Sequence, residues 1–227
     1  MKRNVLKKSL VIFAVITASL VAFSCKSGLD LSVYVSELRT GIYQGKSDGY
    51  DLIVYSEKRE NPFKADGFVG DMKNLITVKL ELEKGTLDGA EVKLQYDDYE
   101  CEGDFEYSVL KGKYVSEIFV EKLPESPIIK AIVINSGEEV NIELKSQVFS
   151  GTVSYKNVLS AIEKSDPKIV NELFNTSSVS SEIHVRIISD NSKNYYYVGF
   201  VTKEGNTFAY LVDGESCKVL AKKEIKA

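Results

Sequence analysis

A period of two in the hydrophobic pattern, broken by turn-forming residues, is the feature that most limits how this chain can fold. Residues 75–82 alternate apolar and polar side chains, and other segments alternate or are rich in β-forming residues: 31–35, 50–55, 91–96, 115–120, 128–134 and 140–144. Turn signals lie between them: Lys46–Gly49, Asp66-Gly67, Asp88-Gly89, Lys111–Lys113 and Ser136-Gly137. Short strands at this spacing are typical of an antiparallel sandwich or barrel, and we expect a β-sandwich over residues 30–149.

The pattern changes near residue 150. Apolar residues at 155, 158, 159 and 162 lie on one helical face, and Asp166-Pro167 has the pattern of an N-cap followed by proline at the first helical position. Four β-forming segments follow: 182–188, 194–202, 207–213 and 217–222. The sequence therefore predicts a mainly β protein in which a small α+β domain, residues 150–227, follows the sandwich.

The first 24 residues have the pattern of an export signal. Four basic residues, Lys2, Arg3, Lys7 and Lys8, precede an uncharged run over 10–23. This run is shorter than the roughly 20 apolar residues that a membrane-spanning helix needs, and its length is typical of a signal-peptide core. We expect residues 1–24 to be a signal peptide and residues 25–29 a short tether.

The junction Val21–Cys25 resembles a bacterial lipoprotein signal, in which small residues precede a cysteine that is lipidated and becomes the new N-terminus. The resemblance implies a palmitate-bearing anchor at Cys25 and a place on the extracytoplasmic face of the cell membrane. Ala22 and Ser24 also satisfy the small-x-small rule for ordinary secretory cleavage. A soluble secreted protein and an uncleaved membrane anchor therefore remain as alternatives.

Charge and cysteine content exclude several classes of protein. Removal of the leader, which holds four basic residues and no acid, lowers the formal net charge from −4 to about −8. Such an acidic chain repels polyanions, so we expect no nucleic-acid partner. Three cysteines do not make a disulfide scaffold. Cys101 and Cys217 could pair after export, but two separate thiols are the favoured interpretation.

Most catalytic and metal-binding motifs are missing from the sequence. The one histidine, His184, lies on the polar face of a predicted strand, opposite Ile183 and Val185. No paired Cys-x-x-Cys, His-Glu-x-x-His or glycine-rich phosphate loop occurs. We therefore expect no cofactor, no metal and no enzymatic activity.

An acidic strip over residues 97–106 is the one candidate for a cation site. Counted from Asp98, acids occupy alternate positions as in a calcium loop, but the closing position holds Val109 instead of a bidentate glutamate. Alternation also places these side chains on one solvated strand edge, which is the competing interpretation. The candidate calcium ligands are Asp98, Glu100, Glu102 and Asp104.

The segment Tyr195–Asp213, followed by Gly214 and Lys218-Val-Leu220, resembles the closing hairpin of PepSY or cystatin-like extracytoplasmic modules. The resemblance implies an α+β fold and a protease-regulating or cell-surface role, and it supplies no catalytic residue. A turn centred on Glu204-Gly205 pairs Thr202 with Thr207. In that register one face either packs on the sandwich or binds a partner, and its candidate binding residues are Tyr195, Tyr197 and Tyr210.

Together these features predict an extracytoplasmic, membrane-anchored lipoprotein that acts as a binding or interaction module. Its expected partners are the membrane, through the lipid, and a protein or cell-wall component. Two alternatives remain. One is a secreted protease-regulating module. The other is a carboxylate-based hydrolase, which needs two acids from different strands and a raised pKa on one of them.

Overall fold

One large, curled and mostly antiparallel sheet organises the protein, so the prediction of a mainly β fold is confirmed. The computed structural model describes residues 29–64, 66–175, 179, 181–190 and 192–227. Within them, Leu31–Ala227 forms one compact unit.

Within the described part of the chain, nine strands precede residue 150, after a short 3-10 helix at Leu31–Tyr34. Their bounds are β1 Val35–Ser47, β2 Tyr50–Glu60, β3 Met72–Leu82, β4 Glu91–Tyr96, β5 Tyr99–Asp104, β6 Glu106–Ser108, β7 Lys113–Val120, β8 Ile128–Asn135 and β9 Glu138–Ser146. Tight turns join several of them. At Asp48-Gly49 and Ser136-Gly137 both residues have positive φ, between 50° and 85°. Such a pair of left-handed residues gives the twist that a two-residue hairpin requires.

Two helices and four strands follow: α1 Tyr155–Ser165, α2 Pro167–Phe174, β10 Ser181–Asp190, β11 Lys193–Thr202, β12 Thr207–Asp213 and β13 Val219–Ile225. The predicted helical face is confirmed, since Val158, Leu159 and Ile162 are buried. Among the described residues, no helix combines the length and the apolar character needed to cross a bilayer.

The buried apolar side chains form two groups. The first lies between β2, β3 and β7 and the strands β4, β8 and β9, and it includes Val54, Val78, Leu94, Val133 and Leu144. The second lies where the helices cover one face of β10, β11 and β12. In it, the ring of Phe174 lies edge-on to Phe200, with centroids 5.1 Å apart. Because successive side chains of a strand point to opposite faces of the sheet, every second side chain points away from these two buried groups.

Strand β1 joins the two parts of the sheet. One edge of β1 pairs with β2 along most of its length. The other edge pairs in parallel with β10 between Val35 and Arg39, and then with β9 at Tyr43 and Gln44. The sheet is therefore continuous across residue 150. The division into separately folding segments 30–149 and 150–227 stays a prediction.

The predicted register of the β11–β12 hairpin is wrong by one residue. Val201 pairs with Thr207, and Val198 pairs with Tyr210. The reason lies in the turn, where the Thr202 N–H donates to the carbonyl oxygen of Asn206 at 2.8 Å. Tyr210 consequently shares the face of Val198, against the helices, and leaves the face of Tyr197.

We expect Gly45→Ala to destabilise the fold by about 1–3 kcal/mol or more, because overpacking a close backbone contact forces the strands apart. A Cβ at Gly45 would overlap the carbonyl oxygen of Glu143, where β1 meets β9. Thermal unfolding followed by circular dichroism measures the loss. The control is Ser47→Ala in the same strand. Equal melting temperatures for the two variants would contradict the close β1–β9 contact.

Candidate functional site

Charged side chains cover the face of β1, β2 and β10 that points away from the buried apolar groups. We call this surface the charged face; it comprises Glu37, Arg39, Glu57, Arg59, His184 and Arg186. The strand registers bring these residues together. Glu37 lies opposite Arg59 and beside His184, while Arg39 lies opposite Glu57 and beside Arg186. Charges of opposite sign therefore face each other directly across β1 and β2, whereas across β1 and β10 they meet diagonally, through Glu37 and Arg186.

Glu57 is the fully buried centre of this surface. Its side chain has no solvent exposure, and its carboxylate accepts from Arg39 Nε at 2.9 Å and from Arg59 Nη2 at 2.6 Å. The hydroxyl of Thr77 donates to the same carboxylate at 3.1 Å. A buried carboxylate requires such partners, because its desolvation is otherwise uncompensated. Two arginines share this one acid, and Arg59 has a second, partly exposed acid, Glu117, at 3.7 Å.

Glu37 forms a second ion pair, with Arg186. Arg186 donates from Nε at 2.5 Å and from Nη2 at 2.7 Å, which is a two-point contact. Burial alone would raise the pKa of Glu37, but the hydrogen bond and charge of Arg186 outweigh it and hold the pKa below its usual value. Burial lowers the pKa of His184, whose Nδ1 lies 3.9 Å from Glu37. His184 is therefore neutral at pH 7, beside a carboxylate that stays ionised.

The connection between β2 and β3, residues 61–71, lies over one end of the charged face; we call it the strap segment. Two buried carboxylates hold its backbone. Glu182 accepts from the N–H groups of Asp66 at 3.1 Å and Gly67 at 3.3 Å. Glu60 accepts from the N–H of Gly70 at 2.6 Å. The ring of Phe63 also lies edge-on to His184, with centroids 5.2 Å apart.

Glu182 has an incomplete set of hydrogen-bond partners. Glu182 is fully buried, and its Oε2 atom has no hydrogen-bond partner among the described residues. Burial raises the pKa of Glu182, and the nearby charge of Glu60 adds to the rise. The strap segment is thus held by a carboxyl group whose protonated form is more favourable in the folded protein than it is in water.

A cleft of about 570 Å³ opens at the other end of the charged face. It lies at the place along β1 where β9 and β10 part. We call it the β1 cleft, and its lining includes Arg39, Ile42, Gln44, Ile53, Tyr55, Phe149 and Ile188. The guanidinium carbon of Arg39 stands 4.1 Å from the centre of the Tyr55 ring, and Lys79 Nζ stands 4.7 Å from the same centre. Arg39 is therefore a cation in the lining of the cleft, Lys79 lies beside the same ring but outside that lining, and the walls mix apolar and polar side chains.

The candidate calcium ligands lie at an exposed sheet edge. Asp98 is in the β4–β5 turn, and Glu100, Glu102 and Asp104 project from β5, which pairs with β4 alone among the described strands. Glu100 accepts from Gln95 at 2.8 Å, and Glu102 lies 3.7 Å from Lys93. Within the described ranges, no three side chains of His, Cys, Asp or Glu are grouped so that they could hold a metal ion.

The three tyrosines of the predicted binding face are not brought together. Tyr195 and Tyr197 stay on the uncovered face, half-buried, with the Arg186 guanidinium 5.8 Å from the Tyr197 ring. Tyr210 is buried on the other face and donates to Asp166 at 3.2 Å. Cys25 lies outside the described residues. Cys101 and Cys217 are separate free thiols.

A scan against protein-family models found no matching family, and searches of curated proteins and of solved structures found no match. The charged face and the β1 cleft are therefore the features from which function has to be inferred. The search for sequence motifs missed both of them. Positions 37, 39, 57 and 59 carry opposite charges, but they lie outside the segments 31–35 and 50–55 that the alternation predicts as strands, because β1 and β2 are longer than that pattern indicates.

We expect Glu182→Gln to raise the melting temperature at pH 7 by a few degrees. The amide oxygen can still accept from the strap segment, while the cost of burying a charge is removed. Because the pKa of Glu182 is raised in the folded state, its favourable contribution is present at low pH and is lost as the pH rises. The advantage of the variant should therefore shrink towards pH 4.

Melting curves between pH 4 and pH 8 test this expectation, with the exposed Glu139→Gln as the matched control. A variant that is less stable than the parent protein at pH 7 would show that the ionised carboxylate is needed to hold the strap segment.

Proposed function

We propose that this chain is an extracytoplasmic lipoprotein, anchored to the membrane through Cys25, that acts as a binding module with the β1 cleft as its ligand site. The proposal for the anchor rests on the basic leader, the short apolar run and the cysteine at its end. We further propose a sandwich over residues 30–149 joined through β10 to an α+β module over residues 150–227. The partner is a ligand, a protein or a cell-wall component outside the cytoplasm.

One observation carries the binding proposal, namely that β9 and β10 part along β1 and leave a cleft in a sheet that is otherwise paired. Its volume, about 570 Å³, is in the range of small-molecule sites. Its lining combines isoleucine, phenylalanine and tyrosine side chains with a comparable set of polar ones: Arg39, Gln44, Gln147, Ser189, Asp190 and Ser192. Such a mixed lining can contact a ligand that has both apolar and polar groups.

The carboxylates of the charged face favour binding over hydrolysis. Glu37 and Glu57 are held by arginines, and Glu60 by backbone N–H groups. Arg186 holds the pKa of Glu37 below its usual value, which disfavours a role for Glu37 as a general acid. The oxygens of Glu57 and Glu60 are engaged by partners within the protein. Glu182 has a raised pKa, but it is enclosed beneath the strap segment without solvent exposure. A carboxylate-based hydrolase therefore gains no support from this surface.

We expect Cys25→Ala to release the protein from the membrane fraction, because the thiol is the proposed site of lipid attachment. Fractionation of cells that express the full chain, followed by immunoblotting, measures the release. Incorporation of a labelled palmitate reports the lipid directly. Cys217→Ala is the control, and it should remain membrane-bound and labelled. A parent protein found unlabelled in the culture medium would instead indicate ordinary secretory cleavage.

We expect residues 26–227 to bind the uncharged fluorophore N-phenyl-1-naphthylamine saturably in the β1 cleft. Ile188→Ser should weaken this binding about fivefold, since an apolar wall is lost. Leu220→Ser is the matched control, because the two side chains are 40% and 45% exposed and Leu220 lies outside the cleft. Fluorescence titration gives both dissociation constants. Equal weakening by the two variants, or no saturable binding, would refute the cleft as a ligand site.

A further inference from the structure

We infer that the β1 cleft binds an amphipathic anion, with its carboxylate, phosphate or sulfate group at Arg39 and its apolar body along Phe149 and Ile188. This inference rests on the proposed function and specifies the chemical class of its ligand. It depends on Arg39 keeping hydrogen-bond donors free, on an excess of positive charge at that end of the cleft, and on the polarity along the cleft.

Arg39 is held rigidly but is not saturated. Its Nε and Nη2 both point to Glu57 Oε2, each at 2.9 Å. A guanidinium has five N–H donors, so three have no hydrogen-bond partner among the described residues. The side chain is only 16% exposed and its plane is fixed against Tyr55. A pre-oriented guanidinium at a cleft wall is suited to two-point contact with an anionic group.

The charge at this end of the cleft is positive although the chain is acidic overall. Arg39 and Arg59 share Glu57, and Arg59 also lies 3.7 Å from the partly exposed Glu117, so these two cations face two acids. Lys79 adds a further cation beside the Tyr55 ring. Burial lowers the pKa of Lys79, and the charge of Arg39 lowers it further. An anion that enters the cleft would relieve this repulsion between cations.

The lining of the cleft also changes in character along its length. Ile42, Ile53, Phe149 and Ile188 form its apolar lining. Asp190 lies in the lining too, four residues along β10 from Arg186, which is about 13 Å in an extended strand. An anionic group is therefore favoured at the Arg39 end, while the apolar body of the ligand covers the isoleucine and phenylalanine side chains beside it.

Two matched probes test the inference. N-phenyl-1-naphthylamine and 8-anilinonaphthalene-1-sulfonate share one ring system and differ by a sulfonate. Residues 26–227 should bind the sulfonate about tenfold more tightly than the neutral probe, as expected for charge-assisted hydrogen bonds at a partly desolvated site. Arg39→Gln should reduce this ratio to about twofold or less. The control is Lys46→Gln, a more exposed cation of the same strand outside the cleft, and it should keep the ratio.

Arg39→Gln also removes a partner of buried Glu57 and can therefore destabilise the fold. A second variant, which keeps that contact, is needed for this reason. Lys79→Gln leaves the Arg39–Glu57 contact in place and should reduce the ratio about threefold. Equal affinity for the two probes, or a ratio unchanged in both folded variants, overturns the inference. If the neutral probe still binds through Ile188 in that case, the proposed function stands. If neither probe binds, the proposed function fails together with the inference.

Discussion

At each residue, one edge of β1 can form backbone hydrogen bonds with only one neighbouring strand. The rest of the structure depends on how β9 and β10 divide that edge between them. Backbone N–H and C=O groups on one side of a strand pair with a single partner. Strand β10 takes the edge from Val35 to Arg39, and β9 takes it from Tyr43. The two strands therefore have to part between these points. One pairing constraint thus joins the two parts of the sheet and also produces the β1 cleft.

The buried ion pairs near the point where β9 and β10 part fix the orientation of side chains more than they stabilise the fold. A buried ion pair gains little over an apolar pair of the same shape, whereas removal of one partner typically costs about 3–5 kcal/mol. Glu57 is fully buried between Arg39 and Arg59, so neither arginine can be removed without that cost. The consequence is that Arg39 has one fixed geometry at the mouth of the cleft. A flexible surface lysine would offer the same charge without the fixed donors.

Features that depend on local periodicity could be predicted from the sequence, and features that depend on distant pairing could not. The alternation over 75–82 and the helical face at Val158, Leu159 and Ile162 each follow from the spacing of neighbouring residues. The parallel pairing of β1 with β10 joins segments about 150 residues apart, and no short pattern encodes it. The predicted β11–β12 register was wrong for another reason. One additional residue in a turn shifts every side chain of one strand relative to the partner strand. Tyr210 was assigned to the wrong face for that reason. The β1 cleft was missed because it exists only where three strands meet.

The contrast between the acidic chain and its cationic cleft limits what kind of ligand can be bound. At physiological ionic strength a charge acts over about 8 Å, so the overall negative charge of the chain does not extend far into solution. Within that distance Arg39 is the cation in the cleft lining, and Lys79 lies beside the same Tyr55 ring outside it, while Arg59 is engaged by both Glu57 and Glu117. A simple anion gains only this short-range attraction and competes with salt. A ligand that also covers the apolar walls gains the burial of Phe149 and Ile188 as a second, salt-independent contribution. The proposed site would therefore select for molecules that carry both an anionic group and an apolar body, rather than for either property alone.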